Sequence, residues 1–391
     1  MRKAIFWLHL SAGLVAGFVI LLMSATGVVL TYEKQMLAWS DRSAASARPA
    51  SDSTRLSVDD LLRAVRAADP SARITVITMA SAPDAPVLVT AGERTLAVNA
   101  YTGTVIGEAS PRLRRFFRSV TAWHRWLGAE QESTRQTARF FTGWGNFLFL
   151  LIVIGGPILW IPRKWSGAQL RAVTLFRGGL QGKARDFNWH NVIGIWSCVP
   201  LFIIVLTALP MSFPWANAAI YQMVGEAPPT LQRPGGEPAR RGERGARNTP
   251  SGPNSLDGAW QRAEQQVDGW QTISLRLGGD PNAPLTFTID RGSGGQPQLR
   301  GTLTVNRASR EVMRWEPFQT QTLGRRLRSY ARFAHTGEAF GIVGQTIAGI
   351  ASAGAVVLVW TGVTLALRRF AAWRKRRRED VVPADARINA A

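Results

Sequence analysis

Apolar residues collect along this chain in four long blocks that contain no Asp, Glu, Lys or Arg: Leu8 to Tyr32, Phe140 to Pro162, Phe187 to Trp215 and Gly341 to Leu367. A helix rises about 1.5 Å per residue and needs about 20 residues to cross a hydrocarbon core of roughly 30 Å. Each block is long enough, so the pattern predicts four membrane-crossing helices. The first follows Met1-Arg2-Lys3, as a cleaved leader would. Its apolar run is too long for a leader core of about 7 to 15 residues, and Tyr32-Glu33-Lys34 is no small-residue cleavage site. It reads as a retained helix.

The stretches between the blocks carry other periods. Leu56 to Asp69 is amphipathic at helical spacing and opens with Ser57-Val58-Asp59-Asp60, where the serine can cap and the acids suit the helix dipole. β-rich runs follow at Ile74 to Met79, Val87 to Thr90 and Thr95 to Asn99, then a turn over Ala100 to Gly107. The order returns later: a helix over Leu256 to Val267, strands over Ile273 to Leu277, Leu285 to Asp290 and Gly301 to Asn306, then Arg307 to Val312. Two small outer domains, each a helix with an antiparallel sheet, are expected. Arg233 to Pro253, rich in Gly, Pro and Arg, has little to bury and reads as a disordered linker.

Charge sets the orientation. Arg163 to Asp186 holds six Lys or Arg against one acid, and Arg368 to Arg378 holds seven basic residues. Short flanks of this kind stay in the cytoplasm, which puts both termini there and the two long stretches across the membrane. The net charge of +21 then reflects topology and an anionic lipid surface, and calls for no nucleic acid. The single Cys198 lies inside the third apolar block, so no internal disulfide is possible and a packing role is expected.

The chain also repeats itself. With His9 set on His190, Gly13 falls on Gly194 and Thr26 on Thr207. With His124 set on His335, Arg114-Arg115 falls on Arg325-Arg326, and Gly156 near the end of the second helix resembles Gly362 near the end of the fourth. The four histidines of the chain all sit at the edges of apolar segments, where an ionisable ring is costly and marks a functional site. Two neutral imidazoles on opposite faces suit a low-spin haem used for electron transfer. His9 and His190 begin outward-going helices, whereas His124 and His335 precede inward-going ones. Pairing by depth gives an inner and an outer bis-histidine haem b; pairing His9 with His124 would have to span roughly the whole 30 Å core. A lone histidine beside tryptophan, as at Trp123-His124 or Trp189-His190, is more often an interfacial anchor, but four placed in register across two repeats favour ligands. Arg114, Arg115 and Arg118 before His124, and Arg325, Arg326, Arg328 and Arg332 before His335, match haem propionates or an anionic ferric complex, or else lipid phosphate.

Trp7-Leu8-His9-Leu10 with Gly13 and Gly17, Asn99 to Val105, Trp123-His124-Arg125-Trp126-Leu127 and Gly155 to Arg163 together resemble the PepSY-associated transmembrane family, from about Arg2 to Arg369. The resemblance implies a bacterial inner-membrane haem protein passing electrons to a periplasmic ferric siderophore or another metal chelate, with the four histidines as haem ligands. The fold class expected is an α-helical polytopic membrane protein of four helices in two repeats, with periplasmic α+β PepSY-like domains. Its parts are helix 1 (1–35), a first outer domain (36–110), an approach and helix 2 (111–162), a cytoplasmic loop (163–186), helix 3 (187–215), a second outer domain with the linker 233–253 (216–320), an approach and helix 4 (321–370) and a basic tail (371–391). The sequence departs from the expected pattern at one place: the second charge-free run begins only at Phe140, well after His124.

No Gly-rich dinucleotide fingerprint, Cys pair, HExxH pattern or nucleophile triad is present, so hydrolysis is disfavoured and a membrane quinol, a separate reductase or a diffusible reductant must donate electrons. Two readings remain. One is a redox enzyme carrying electrons from the inner to the outer histidine pair; the other is a non-enzymatic binding or regulatory module whose outer domains contact a periplasmic partner.

Overall fold

A computed structural model describes residues 1–45, 53–161, 166–229, 255–278, 280 and 283–381; the linker Arg233–Pro253 lies outside the described residues. In chain order the helices are α1 (Arg2–Leu30), α2 (Glu33–Ala44), α3 (Val58–Ala68), α4 (Pro111–Trp126), α5 (Glu132–Trp160), α6 (Gly167–Thr174), α7 (Gly182–Ser212), α8 (Pro214–Gln222), α9 (Asp257–Gln265), α10 (Leu323–His335) and α11 (Gly341–Val381). The chain divides into two compact units, residues 1–31, 118–216 and 334–391 forming the first and residues 32–117 and 217–333 the second.

The first unit is a helix bundle whose four long members α1, α5, α7 and α11 are apolar enough to cross a membrane. α1 packs on α5 and α11, and α7 packs on the same two, which sets α1 diagonally opposite α7. Small residues let these backbones approach. A Cβ on Gly145 of α5 would lie 2.7 Å from Val19 of α1, and one on Gly354 of α11 would lie 2.8 Å from the Ser197 hydroxyl of α7. Phe18, Phe141, Trp196, Ile350 and Trp360 point outward and stay exposed, an apolar belt that suits lipid and not water.

Two corners deliver histidines to this bundle. α4 stops at Trp126 because Leu127 and Gly128 adopt left-handed backbone, with φ of 51° and 79°. The charged residues 132–139 are then simply the first turns of α5, which accounts for the long gap between His124 and the charge-free run. α10 ends at His335, and Gly337 turns the chain with φ of 75° before α11.

The second unit holds β1 (Ile74–Ala80), β2 (Val87–Ala91), β3 (Arg94–Val98), β4 (Val105–Glu108), β5 (Thr272–Arg276), β6 (Leu285–Asp290), β7 (Arg300–Val305) and β8 (Val312–Pro317). The sequence reads as two separate small sheets. The structure joins them in a single antiparallel sheet, ordered β4-β3-β2-β1-β5-β6-β7-β8, through pairing of Val76 with Arg276 through to Ala80 with Thr272. Each half alone would leave one long edge of unpaired N–H and C=O groups, and the β1–β5 seam removes both. The end strand β4 begins within the turn expected over Ala100 to Gly107, and β8 begins at the end of the Arg307 to Val312 stretch, where the pattern predicts no strand.

Alternate strand positions such as Ile77, Val89, Ile273, Leu275, Phe287 and Leu303 are fully buried with Leu61, Leu62 and Val65 of α3 and with Ala259, Trp260 and Ala263 of α9 in one core. The two helix starts cap each other. The Asp59 N–H donates to the Asp257 carboxylate, while the Leu256 N–H and Ser255 hydroxyl donate to the Asp59 carboxylate, at 2.7–3.0 Å. Ser57 accepts from the Asp60 N–H, the cap its sequence position predicts. At the start of α10, the Thr322 hydroxyl and the Gly324 and Leu323 N–H groups donate to Glu226, which holds its carboxyl below the usual range.

Candidate functional site: two facing histidine pairs

The four histidines meet in two pairs inside the first unit. His9 on α1 faces His190 on α7 with ring centres 6.4 Å apart and planes at 79°. His124 at the end of α4 faces His335 at the end of α10 with centres 6.3 Å apart and planes at 54°. An imidazole nitrogen sits about 2 Å from a first-row metal ion and its ring centre about 1 Å farther, so two rings sharing one ion stand about 6 Å apart. Both pairs have that spacing.

The hydrogen bonds behind the rings decide which nitrogen is free. His335 Nδ1 lies 2.8 Å from the Ile204 carbonyl of α7, which can only accept, so Nδ1 carries the proton. The Thr26 hydroxyl donates to the Leu22 carbonyl one turn back and lies 2.9 Å from His124 Nδ1, so it accepts from that ring. The Thr361 hydroxyl likewise donates to the Val357 carbonyl and lies 2.9 Å from His190 Nδ1. In these three rings Nδ1–H points into a helix and Nε2 keeps a lone pair, the tautomer a metal needs, with a partner that fixes ring orientation. His9 differs: its Nδ1 is buried, approaches the Ile152 carbonyl of α5, and makes no hydrogen bond of ordinary geometry to the described residues.

Glycines let the rings sit close to neighbouring helices. A Cβ on Gly156 of α5 would lie 3.9 Å from His9 Cε1, one on Gly362 of α11 3.3 Å from His190 Cε1, and one on Gly27 of α1 3.7 Å from His124 Cε1. Among the described residues no group of three or more His, Cys, Asp and Glu could hold a metal ion, so each site offers two imidazoles alone.

Of the arginines singled out in the sequence, Arg118 lies in the first unit and the others in the second. Arg114 is ion-paired with buried Asp41 and donates to the Ala109 carbonyl; Arg325 is held by Glu316 at 2.7 Å. Arg115 is exposed, and the Arg326 guanidinium lies 5.5 Å over the Phe318 ring. Residues given no role from sequence stand beside the rings: Thr26, Ile204, Thr361 and Gly155. The register of Thr26 on Thr207 was the available signal, since an intramembrane hydroxyl must find a partner.

Four long apolar helices with two facing histidine pairs define a multi-pass helical membrane protein. Its sequence matches the PepSY-associated TM region over residues 6–369, and the chain belongs to that family. No curated protein matches the chain.

Proposed function

We propose that the chain is a di-haem b electron-transfer protein of a bacterial inner membrane, built from two repeats with both termini cytoplasmic and its outer PepSY-like domains periplasmic. On this reading it reduces a periplasmic ferric siderophore, releasing iron in its more weakly held ferrous form, or reduces another metal chelate. The observation that carries the reading is the geometry of the rings: two imidazole pairs, each at the spacing for one shared iron, three of the four rings with Nδ1–H turned into a helix.

When bound, each haem supplies a reversible one-electron couple. The chain's own residues do the rest. His9 and His190 would hold one iron axially and His124 and His335 the other, while Thr26, Thr361 and the Ile204 carbonyl orient the rings. Buried Val153, Leu201, Ala351 and Ala355 keep water from the bundle interior. Exposed Arg115 offers charge to an anionic chelate, whereas Arg114 and Arg325 already hold acids. The electron donor would be a membrane quinol, a reductase protein or a diffusible reductant.

A pyridine haemochrome assay on the purified chain should give two haem b groups. In proteoliposomes with reductant inside, ferrous iron captured outside should fall to background when His124 and His335 are replaced by alanine. A colourless protein would leave the binding or regulatory module as the better reading.

A further inference from the structure

The inner pair is held unevenly, and one position accounts for it. Thr361 precedes Gly362 on α11, beside His190, and Gly155 precedes Gly156 on α5, beside His9. Where His190 Nδ1 finds the Thr361 hydroxyl at 2.9 Å, the corresponding place on α5 has no side chain. A Cβ built on Gly155 would lie 3.8 Å from His9 Nδ1 and 3.5 Å from Ile5, both ordinary contacts, so a Cβ fits there. The backbone there is helical, so glycine is not required by conformation. Gly155 thus leaves His9 Nδ1 facing only the Ile152 carbonyl, outside ordinary hydrogen-bond geometry among the described residues, where the other three rings each have an acceptor at 2.8–2.9 Å.

Resting on the di-haem reading, we infer that Gly155 and Thr361 are positioning residues that make the two ligands of the inner iron unequal, His190 firmly oriented and His9 loosely so. A hydrogen bond from Nδ1–H raises the basicity of Nε2 and favours the ferric form. A ring without it is a weaker donor, which leaves this iron easier to reduce than a symmetric site would be.

The test is a potentiometric titration of the full-length protein, followed by absorbance and low-temperature electron paramagnetic resonance, on wild type, Gly155→Ser, Gly155→Ala and Thr361→Val. Gly155→Ser should move the potential of one haem downward and sharpen its low-spin signal, because the serine hydroxyl supplies the missing acceptor. Gly155→Ala, which adds the Cβ without the hydroxyl, should leave that potential in place. Thr361→Val should move the same haem upward and lower its retention about ten-fold. Two haems whose potentials are the same in wild type, Gly155→Ser and Gly155→Ala would overturn this inference and leave the di-haem reading standing. A wild-type protein that takes up no haem would overturn both.

Discussion

The two histidine pairs reach nearly the same ring spacing, 6.4 and 6.3 Å, by different routes. His9 and His190 grow directly from the membrane helices α1 and α7, so their separation follows from how those helices pack around α5 and α11. His124 and His335 are carried instead on the last turns of the amphipathic helices α4 and α10, which must stop and turn at Gly128 and Gly337 before the next long helix begins. Helix packing alone sets the first pair; local backbone geometry also sets the second. Damage to a turn should therefore separate the two sites, and damage to a ligand should remove one site whole.

On the proposed di-haem reading, the largest effect expected is loss of one entire haem signal. His9→Ala and His190→Ala should each abolish one component of the redox titration, and His124→Ala and His335→Ala the other, because an axial ligand acts only with its partner. Equal partial loss of both components in every variant would contradict the pairing.

Next comes Gly337→Ala. A Cβ there would collide with the Gly344 carbonyl, and the left-handed backbone costs a non-glycine residue about 1–2 kcal/mol before any collision. The His124–His335 haem should be lost or broadened while the His9–His190 haem persists. Gly156→Ala, whose Cβ would make only ordinary contact with His9, should leave both in place. The comparison fails if the two glycine variants behave alike in haem content and thermal stability.

A smaller change is expected from Thr26→Val, which removes the acceptor for His124 Nδ1 and should weaken retention of that haem about ten-fold in a transfer assay to apomyoglobin. The smallest concerns charge. Replacing exposed Arg115 by glutamine, with acid-paired Arg325→Gln as the control, should slow reduction of an anionic ferric chelate a few-fold relative to a neutral one, an effect that shrinks with added salt because it is long-range attraction at a surface. Equal slowing of both chelates would show that Arg115 acts on the fold.

Much of this architecture was legible in the residues. Four charge-free runs define the long helices, Ser57 announces α3, and the β-rich runs mark six of the eight strands. The β1–β5 seam was not legible, because Thr78 and Ser274 lie 196 residues apart and nothing local specifies which edge a strand will find. The α4 corner was hidden by Leu127, a residue that rarely takes a positive φ, and only the Gly128 beside it hinted at a turn. At the site, the pairing of His9 with His190 and of His124 with His335 could be read from the flanking runs and the repeat. The partners of Nδ1 could not, since one is a backbone carbonyl and the others are threonines whose facing depends on helix rotation.

The central seam of the sheet also sets a timetable. β1 leaves the ribosome long before β5, with α5 and α7 to be made and inserted between them. At about 5–20 residues per second, a gap of 196 residues means about 10–40 s during which β1 waits as an open edge. An edge of that kind pairs with whatever strand it meets. Biogenesis of the chain is thus most exposed to misassembly until about two thirds of it, through β5, has been synthesised.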